Sequence, residues 1–206
     1  MNILEHRIAS FHNSITKWPY TNKKYHKTET FAKAGFYFLT RPKLPDTTRC
    51  FLCDIELSHW KQGQSPYIRH ATESPSCPWV ILNFPDDPTK RSTIKLQPQH
   101  PKMRAARLAT FNSHNFWPPV KRDVAGRRKF LASTKLADAG FILSPTSDNK
   151  SRVKCPYCQC CINTPINDID ALKSHSQFNS ACIFFDQSNN VGSKSYSSPP
   201  DMFVNG

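Results

Sequence analysis

Long hydrophobic runs are absent from the sequence, and acidic residues are few. No apolar run within the 206 residues is long enough to cross a bilayer, and the segment from Met1 to Arg7 lacks the pattern of a signal peptide. We therefore expect an intracellular, reducing environment, in which cysteines bind zinc more often than they form disulfides. Only 15 acidic residues oppose 28 lysines and arginines, which gives a net charge of +13. This charge is typical of proteins with acidic partners or nucleic acid, and also of a solvated basic surface.

Apolar content is also low. Hydrophobic residues make up 38% of the sequence, and proline is frequent, with 17 copies. The chain is long enough for two small domains, but neither of them can hold a large core. Domains of this kind usually need a bound metal or disulfides to be stable.

The eight cysteines are mostly used by one pattern that occurs twice. The pattern is Cys-x2-Cys-x16-His-x6-Cys, and its two copies are Cys50, Cys53, His70, Cys77 and Cys155, Cys158, His175, Cys182. Three thiolates and one imidazole form a tetrahedral donor set for zinc, so the repeated spacing predicts two structural Zn2+ ions, one per repeat. Disulfides or buried apolar cysteines are the alternatives. Cys160 and Cys161 remain, either as packing residues or as competing ligands for the second zinc.

A closed set of four protein ligands leaves no coordination position for a catalytic water. Cysteines tied to zinc are also not free to act as nucleophiles. The pattern therefore favours a binding protein over an enzyme, and we predict no catalytic residues.

Local patterns predict short elements around these ligands. Apolar spacing predicts a helix over residues 3–14, and a second helix is expected to be capped by Thr28 and ended by Gly35. Strands are predicted at 36–39, 49–53 and 55–57. A helix that starts at Ser65 and Pro66 carries His70.

Motifs outside the metal ligands repeat as well. They are Arg7-x-x-Ser-Phe, Trp18-Pro19 and Ala34-Gly35-Phe36, with counterparts at Arg107-x-x-Thr-Phe, Trp117-Pro118 and Ala139-Gly140-Phe141. Together with the ligand spacing, these motifs resemble the baculoviral inhibitor-of-apoptosis repeat, the BIR domain. The resemblance implies an α+β fold class of two tandem BIR domains, at residues 3–86 and 103–188. Each would have a three-stranded antiparallel sheet with short helices around one zinc. We expect a basic linker at 87–102 and a disordered tail at 189–206.

The resemblance also implies a peptide-binding groove, in which an extended N-terminus adds beside the third strand. The residues at the groove positions are Trp60, Gln64 and Glu73 in the first repeat and Asp168, Asp170 and Phe178 in the second. Gln64 stands where the family usually has an acid that holds the peptide amine, and Glu73 would repel a phosphate. Asp168 and Asp170 could hold a free amine, but they could also form a solvated loop or cap the helix that carries His175. Phe178 could cover the first peptide side chain, and Trp60 has core packing as its alternative.

Arg7 and Arg107 have two interpretations. Three thiolates and one zinc ion carry a net charge of −1, which a nearby guanidinium could offset. The alternative is an ordinary surface residue of a helix, although the repetition favours a structural role.

The function implied by the resemblance is that of a survivin-like chromosomal passenger protein of the two-repeat fungal type. Such a protein would target a mitotic kinase complex to centromeric chromatin, in the nucleus and on the kinetochore and spindle, for chromosome segregation and cytokinesis. The expected partners are the mitotic kinase, the inner centromere scaffold, and a histone tail with phosphothreonine or a shugoshin-like adaptor. One alternative is an apoptosis inhibitor that binds caspases or free N-terminal peptides. The other is a protein that binds nucleic acid through the linker and through residues 121–129.

Overall fold

The computed structural model describes residues 1–12, 17–20, 27–83, 96–119, 122, 124–127, 129–166 and 168–186. The first repeat contains α1 (Leu4–Ser10), α2 (Thr28–Lys33), β1 (Phe36–Phe38), β2 (Thr48–Cys50), β3 (Glu56–Leu57), α3 (Pro66–Glu73) and α4 (Pro78–Asn83). The second contains α5 (Pro101–Asn112), α6 (Ser133–Asp138), β4 (Ile142–Leu143), β5 (Val153–Lys154), β6 (Cys161–Ile162) and α7 (Ala171–Phe178), with 3-10 helices at Ser113–Asn115 and Ile183–Phe185. The predicted tail and residues 87–95 of the predicted linker lie outside the described residues.

Each repeat is built on a three-stranded antiparallel sheet, in the order β1-β2-β3 and β4-β5-β6. In the first sheet, Phe36 pairs with Cys50 and Thr48 pairs with Leu57. The central strand therefore ends on the first cysteine of the metal pattern, which fixes that sulfur relative to the whole sheet. The predicted α+β fold of two similar domains is confirmed.

The start of α2 differs from the prediction. Its N-cap residue is Lys27, whose side chain makes no capping hydrogen bond, and Thr28 is the first residue of the helix. The prediction that Thr28 caps the helix is therefore wrong. Its hydroxyl instead lies 3.2 Å from Nε2 of His12 on the preceding segment. This tertiary hydrogen bond replaces the capping hydrogen bond that was expected.

Aromatic side chains dominate the core of the first repeat. The ring of Trp18 packs edge-on against Phe11 at 5.0 Å and against Phe31 at 5.3 Å, and all three rings are buried. The second core uses more aliphatic residues, including Leu136 and Val153. Aromatic rings bury a large area each, which suits a domain with few apolar residues.

The two repeats contact each other through α4 and α5. Leu82 of α4 is buried with Met103, Ala106 and Ile142 of the second repeat in one apolar cluster. Nε2 of His114 also lies 3.3 Å from Oδ2 of Asp54, which is an ion pair when the histidine is protonated. Because α5 begins at Pro101, the last two residues of the predicted linker are helical. None of the helices in the described part of the chain has the length and apolar content needed to span a bilayer.

Candidate metal centres and peptide grooves

A tight turn presents the first two cysteines of each metal pattern. In the first repeat, the amide of Asp54 donates to the carbonyl of Cys50 at 3.1 Å, and Asp54 takes a positive φ of 61°. Gln159 takes a φ of 65° at the corresponding place in the second repeat. This left-handed residue reverses the chain, so both cysteine side chains face the same point.

The four donors of each predicted set converge. All donor atoms within each set lie within 4.8 Å of one another. The Sγ atoms of Cys50 and Cys77 are 3.9 Å apart, and Sγ of Cys53 lies 3.5 Å from Nε2 of His70. The matching separations in the second repeat are 3.9 Å for Cys155 to Cys182 and 3.4 Å for Cys158 to His175.

These separations fit a zinc ion. Tetrahedral Zn–S bonds of about 2.3 Å and Zn–N bonds of about 2.0 Å place two sulfurs about 3.8 Å apart, and a sulfur and a nitrogen about 3.5 Å apart. Each set would therefore hold Zn2+ with little rearrangement. When bound, the ion would cross-link a sheet turn to α3 or α7, and it would have no open coordination position.

Backbone carbonyls orient the two metal-facing histidines. Nδ1 of His70 donates to the carbonyl of Ala34, and Nδ1 of His175 donates to the carbonyl of Ala139, each at 2.8 Å. Both imidazoles are fully buried. A proton fixed on Nδ1 leaves the lone pair of Nε2 facing the sulfurs, which is the tautomer that a metal needs.

Cys160 and Cys161 lie outside both groups of converging donors. Cys160 is buried in the second core, and burial raises the pKa of its thiol to about 12. Sγ of Cys161 lies 3.0 Å from a guanidinium nitrogen of Arg152. The geometry therefore favours packing and surface roles for these two cysteines over zinc binding.

The two repeated arginines are buried, with 3% exposure at Arg7 and 2% at Arg107. Nε of Arg7 donates to the carbonyl of Ala32 at 2.9 Å, and Nε of Arg107 donates to the carbonyl of Ala137 at 2.8 Å. Burial lowers the pKa of Arg7 to about 10, and the negative charge of Cys50 opposes that shift. The surface interpretation is therefore wrong and both arginines are buried structural residues, while the offset of a zinc-thiolate charge stays a prediction.

Trp60 belongs to the core of the first repeat, because it is only 4% exposed. Its ring packs edge-on against Phe31 at 4.8 Å. The carboxylate of Asp46 accepts hydrogen bonds from the amides of His59 at 2.9 Å and Trp60 at 2.7 Å, and from the hydroxyl of Tyr20 at 3.1 Å. Sequence reasoning missed Asp46, because it stands in a loop before β2 and belongs to no spaced motif.

A cation covers the outer side of Trp60. The guanidinium of Arg69 lies 4.5 Å from the centre of the indole ring, and it donates to Oε1 of Gln64 at 3.3 Å. Gln64 also accepts from the amide of Lys61 at 3.3 Å. Glu73 is exposed at the end of α3. The first repeat thus brings Trp60 and Gln64 together beneath a positive charge, beside β3, whose outer edge is unpaired in the sheet.

The second repeat replaces Trp60 by Pro165, which has no amide hydrogen to donate. Ser151 stands in the place of Asp46, so the carboxylate acceptor and the amide donor of Trp60 both lack a counterpart. Instead, the Asn149 side chain donates to the carbonyl of Asn163 at 2.8 Å, and the Ser151 hydroxyl donates to the same carbonyl at 3.2 Å.

Three acidic side chains and one lysine line a cavity of about 480 Å³ in the second repeat. They are Asp138, Asp168, Asp170 and Lys135. Oδ1 of Asp170 accepts from the amide of Lys173 at 3.0 Å, so the capping interpretation is confirmed for this residue. Asp168 is exposed. Phe178 is 71% exposed and is not among the residues that line the cavity.

Comparison with known proteins identifies related domains. The family model described as "Inhibitor of Apoptosis domain", abbreviated BIR, matches residues 7–81 and 107–186. An "Apoptosis inhibitor IAP" from Cydia pomonella granulosis virus is 34% identical over 158 residues, which is 71% of this chain and 50% of the viral protein. The "Chromosomal passenger complex protein bir1" from Schizosaccharomyces pombe is 28% identical over 175 residues, 82% of this chain and 16% of the yeast protein.

Among solved structures, the BIR1 domain of DIAP1 bound to a Grim peptide matches with 30% identity and a TM-score of 0.32. The match covers 40% of this chain and 73% of that chain. The chain spans only part of its relatives: the match covers half of the viral protein and less than a fifth of the yeast protein.

Proposed function

The chain belongs to the inhibitor of apoptosis (BIR) domain family and carries two copies of the domain, and we propose that it is a zinc-dependent scaffold that binds peptides. Two donor sets with tetrahedral spacing support the zinc requirement. With four protein ligands at each centre, the metal would stabilise a binding surface and would not activate water. The sheet edge at β3 and the acid-lined cavity at Asp168 are the surfaces offered to peptides.

More specifically, we propose the role of a survivin-like chromosomal passenger subunit. It would bring a mitotic kinase and an inner centromere scaffold to centromeric chromatin in the nucleus, through a phosphothreonine-bearing histone tail or a shugoshin-like adaptor. The observation that carries this proposal is the match to the yeast chromosomal passenger protein over 82% of this chain, which spans both repeats. The net charge of +13 suits acidic chromatin partners.

The second repeat is the better candidate for holding a free N-terminus. Asp168 is exposed and lines the cavity of about 480 Å³, so its carboxylate can form a charge-assisted hydrogen bond with an ammonium group. In the first repeat, Gln64 supplies no charge and Arg69 would repel the amine. Phe178 would cover the peptide only if its exposed ring turned toward the cavity.

A second candidate is an apoptosis inhibitor that binds caspases. The 34% identity to the viral apoptosis inhibitor favours it. The two candidates differ in the peptide they select, because one needs a phosphate-binding groove and the other needs an alanine-binding groove. Measurable inhibition of a purified caspase by the zinc-loaded chain would favour the second candidate.

The decisive experiment is a calorimetric titration of the zinc-loaded chain with two peptides that have free N-termini. One is a histone tail with phosphothreonine, and the other is a tetrapeptide that starts with alanine. We expect the histone peptide to bind, and acetylation of its N-terminus to abolish binding. Asp168→Asn should weaken it by about tenfold through loss of the charged partner. Asp148→Asn, at an exposed site outside the cavity, is the matched control.

Several outcomes would contradict these proposals. If neither peptide binds, direct recognition of histone tails is wrong, and the adaptor is the remaining route to chromatin. If the acetylated and free peptides bind equally, the amine is not the recognised group. Equal losses in Asp168→Asn and Asp148→Asn would show that Asp168 acts through net charge alone.

A further inference from the structure

A cleft of about 430 Å³ lies between the two repeats. The first repeat contributes the N-terminal segment, α1, α2, α3 and α4, together with Phe51 of the zinc-binding turn. The second repeat contributes β4, β5 and the residues after β4, including Leu143 and Lys154. The volume suits a few residues of an extended peptide. Because both repeats form its walls, the cleft requires the tandem arrangement and is distinct from the candidate peptide grooves.

The charged residues that line the cleft are all positive. Arg7, Lys33 and Lys154 line it, and no acidic side chain does so among the described residues. Within the same part of the chain, neither lysine ammonium makes an ion pair. The two lysines, with the buried Arg7 adding to the positive potential, favour an anionic group at this concave surface, since field lines concentrate in a cleft with low-dielectric walls.

The remaining lining combines neutral polar residues, such as Asn83 and Ser144, with apolar residues, of which two aromatic rings are held in place. The rings of Phe51 and Trp79 meet edge-on at 5.0 Å, and Nε1 of Trp79 donates to the carbonyl of Lys33 at 3.0 Å. The guanidinium of Arg7 lies 4.3 Å from the centre of the Phe51 ring. Leu143 of the second repeat also lines the cleft. A ligand would therefore meet charge beside a preformed apolar surface, which reduces the entropy lost on binding.

The corresponding arginine of the second repeat has an additional side-chain partner. Arg107 donates to the hydroxyl of Tyr157 at 3.0 Å as well as to backbone carbonyls. Arg7 has hydrogen bonds to the carbonyls of Ala32 and Met1, and its far side borders the cleft. The corresponding residue of the first repeat is Leu52, which has no hydroxyl, so Arg7 lacks this side-chain hydrogen bond.

We propose that this inter-repeat cleft binds an acidic peptide segment, whose carboxylates pair with Lys33 and Lys154 while an apolar side chain packs on Trp79 and Leu143. The aliphatic side chains of Leu4 and Leu143 in the lining favour a peptide with an apolar side chain over a nucleic acid, whose bases bind mainly by stacking on aromatic faces. Trp79 and Phe51 instead meet edge-on and are fixed by contacts within the repeat. The segment needs no free N-terminus, so this site is independent of the proposed peptide grooves.

The test is a calorimetric titration of the full zinc-loaded chain with a short peptide in which aspartates flank a leucine. The peptide is acetylated and amidated, so it cannot bind through a free amine. We expect binding, with a shifted indole NMR signal for Trp79. Lys33→Gln and Lys154→Gln should each weaken binding about threefold, and the double variant about tenfold, since each ion pair is solvent-accessible. Lys173→Gln, on the exposed side of α7, removes the same charge elsewhere and should leave affinity unchanged.

Three results would overturn the proposal. Equal binding of the same peptide with asparagine for aspartate would remove the anionic requirement. An equal loss in Lys173→Gln would show attraction to net charge instead of to the cleft. Binding of single-stranded oligothymidylate that depends on Lys33 and Lys154, without binding of the acidic peptide, would assign the cleft to nucleic acid. Melting temperatures of all variants show whether they are folded.

Discussion

Arg7 and Arg107 show how a charged side chain can organise a small core. Each guanidinium bonds to a carbonyl near the end of the next helix, at Ala32 and Ala137, and so joins two helices that are distant in sequence. Arginine suits this task because several of its donors lie in one rigid plane. The ring of Phe51 below Arg7 adds a cation–π contact.

We expect Arg7→Met to lower the free energy of unfolding by about 3 kcal/mol. The carbonyls of Ala32 and Met1 would lose their partner, and a buried acceptor without a partner is costly. Urea unfolding of the zinc-loaded chain measures the change. The matched control is Arg41→Met, because Arg41 pairs with Glu56 at the surface and should contribute less than about 1 kcal/mol. Equal losses in both variants would contradict the structural role of Arg7.

At the residue scale, the sequence predicted the two groups of converging donors, but it did not predict the surroundings of the candidate grooves. Cys50 and His70 were predictable because zinc needs a fixed donor set, and that need leaves a regular spacing. The environment of Trp60 was not predictable, because Asp46 and Arg69 reach it from other segments. Such contacts depend on how the chain folds, and they produce no regular spacing of residues in the sequence.

The junction between the second helix and the first strand is the most constrained element of each repeat. Gly35 takes a φ of +99°, and Gly140 takes a φ of +90°. A Cβ atom on Gly35 would lie 2.8 Å from a ring carbon of Trp79, and one on Gly140 would lie 2.8 Å from a ring carbon of Phe184. The glycine therefore reverses the chain and also lets an aromatic ring from the segment after the last ligand pack directly on the backbone.

We expect Gly35→Ala to cost about 3 kcal/mol or more, because left-handed strain and the clash with Trp79 add together. Gly63→Ala is the matched control. It has a φ of +77° but nothing within 4 Å of the added Cβ, so only the strain of about 1 kcal/mol remains. Thermal unfolding of the two variants gives the comparison. A cost for Gly63→Ala as large as that for Gly35→Ala would show that the aromatic contact contributes nothing.

The ends of helices could be predicted from the sequence where the residue at the end has one main structural role. α3 starts at Ser65 and Pro66 as predicted, and the structure adds that the Ser65 hydroxyl caps it by accepting from the amide of Ile68. Gly35 ends the second helix as predicted. Thr28 failed as a cap because a threonine hydroxyl has several alternative partners, and His12 is only brought close by the fold.

At the scale of the whole molecule, the sequence pattern did not predict the contact between the two repeats. The cluster of Leu82, Met103, Ala106 and Ile142 joins the helix that follows the first metal set to the helix that opens the second repeat. An internal repeat predicts two similar units but not how they pack. Because α4 directly follows the ligand Cys77, a change at the first metal centre reaches this contact through a single helix.

That connection gives a prediction for metal removal. We expect the intact chain to bind two zinc ions, and His70→Ala to bind one, at the second centre. Loss of the first centre should loosen α4 and withdraw Leu82 from its partners, so the second repeat should also melt at a lower temperature. Elemental analysis and scanning calorimetry measure these changes, and His6→Ala, at an exposed histidine, should keep both ions and its melting temperature. Fewer than two ions in the intact chain, or circular dichroism unchanged by a chelator, would contradict the zinc-stabilised fold. An unaltered second transition in His70→Ala would contradict the coupling between the repeats.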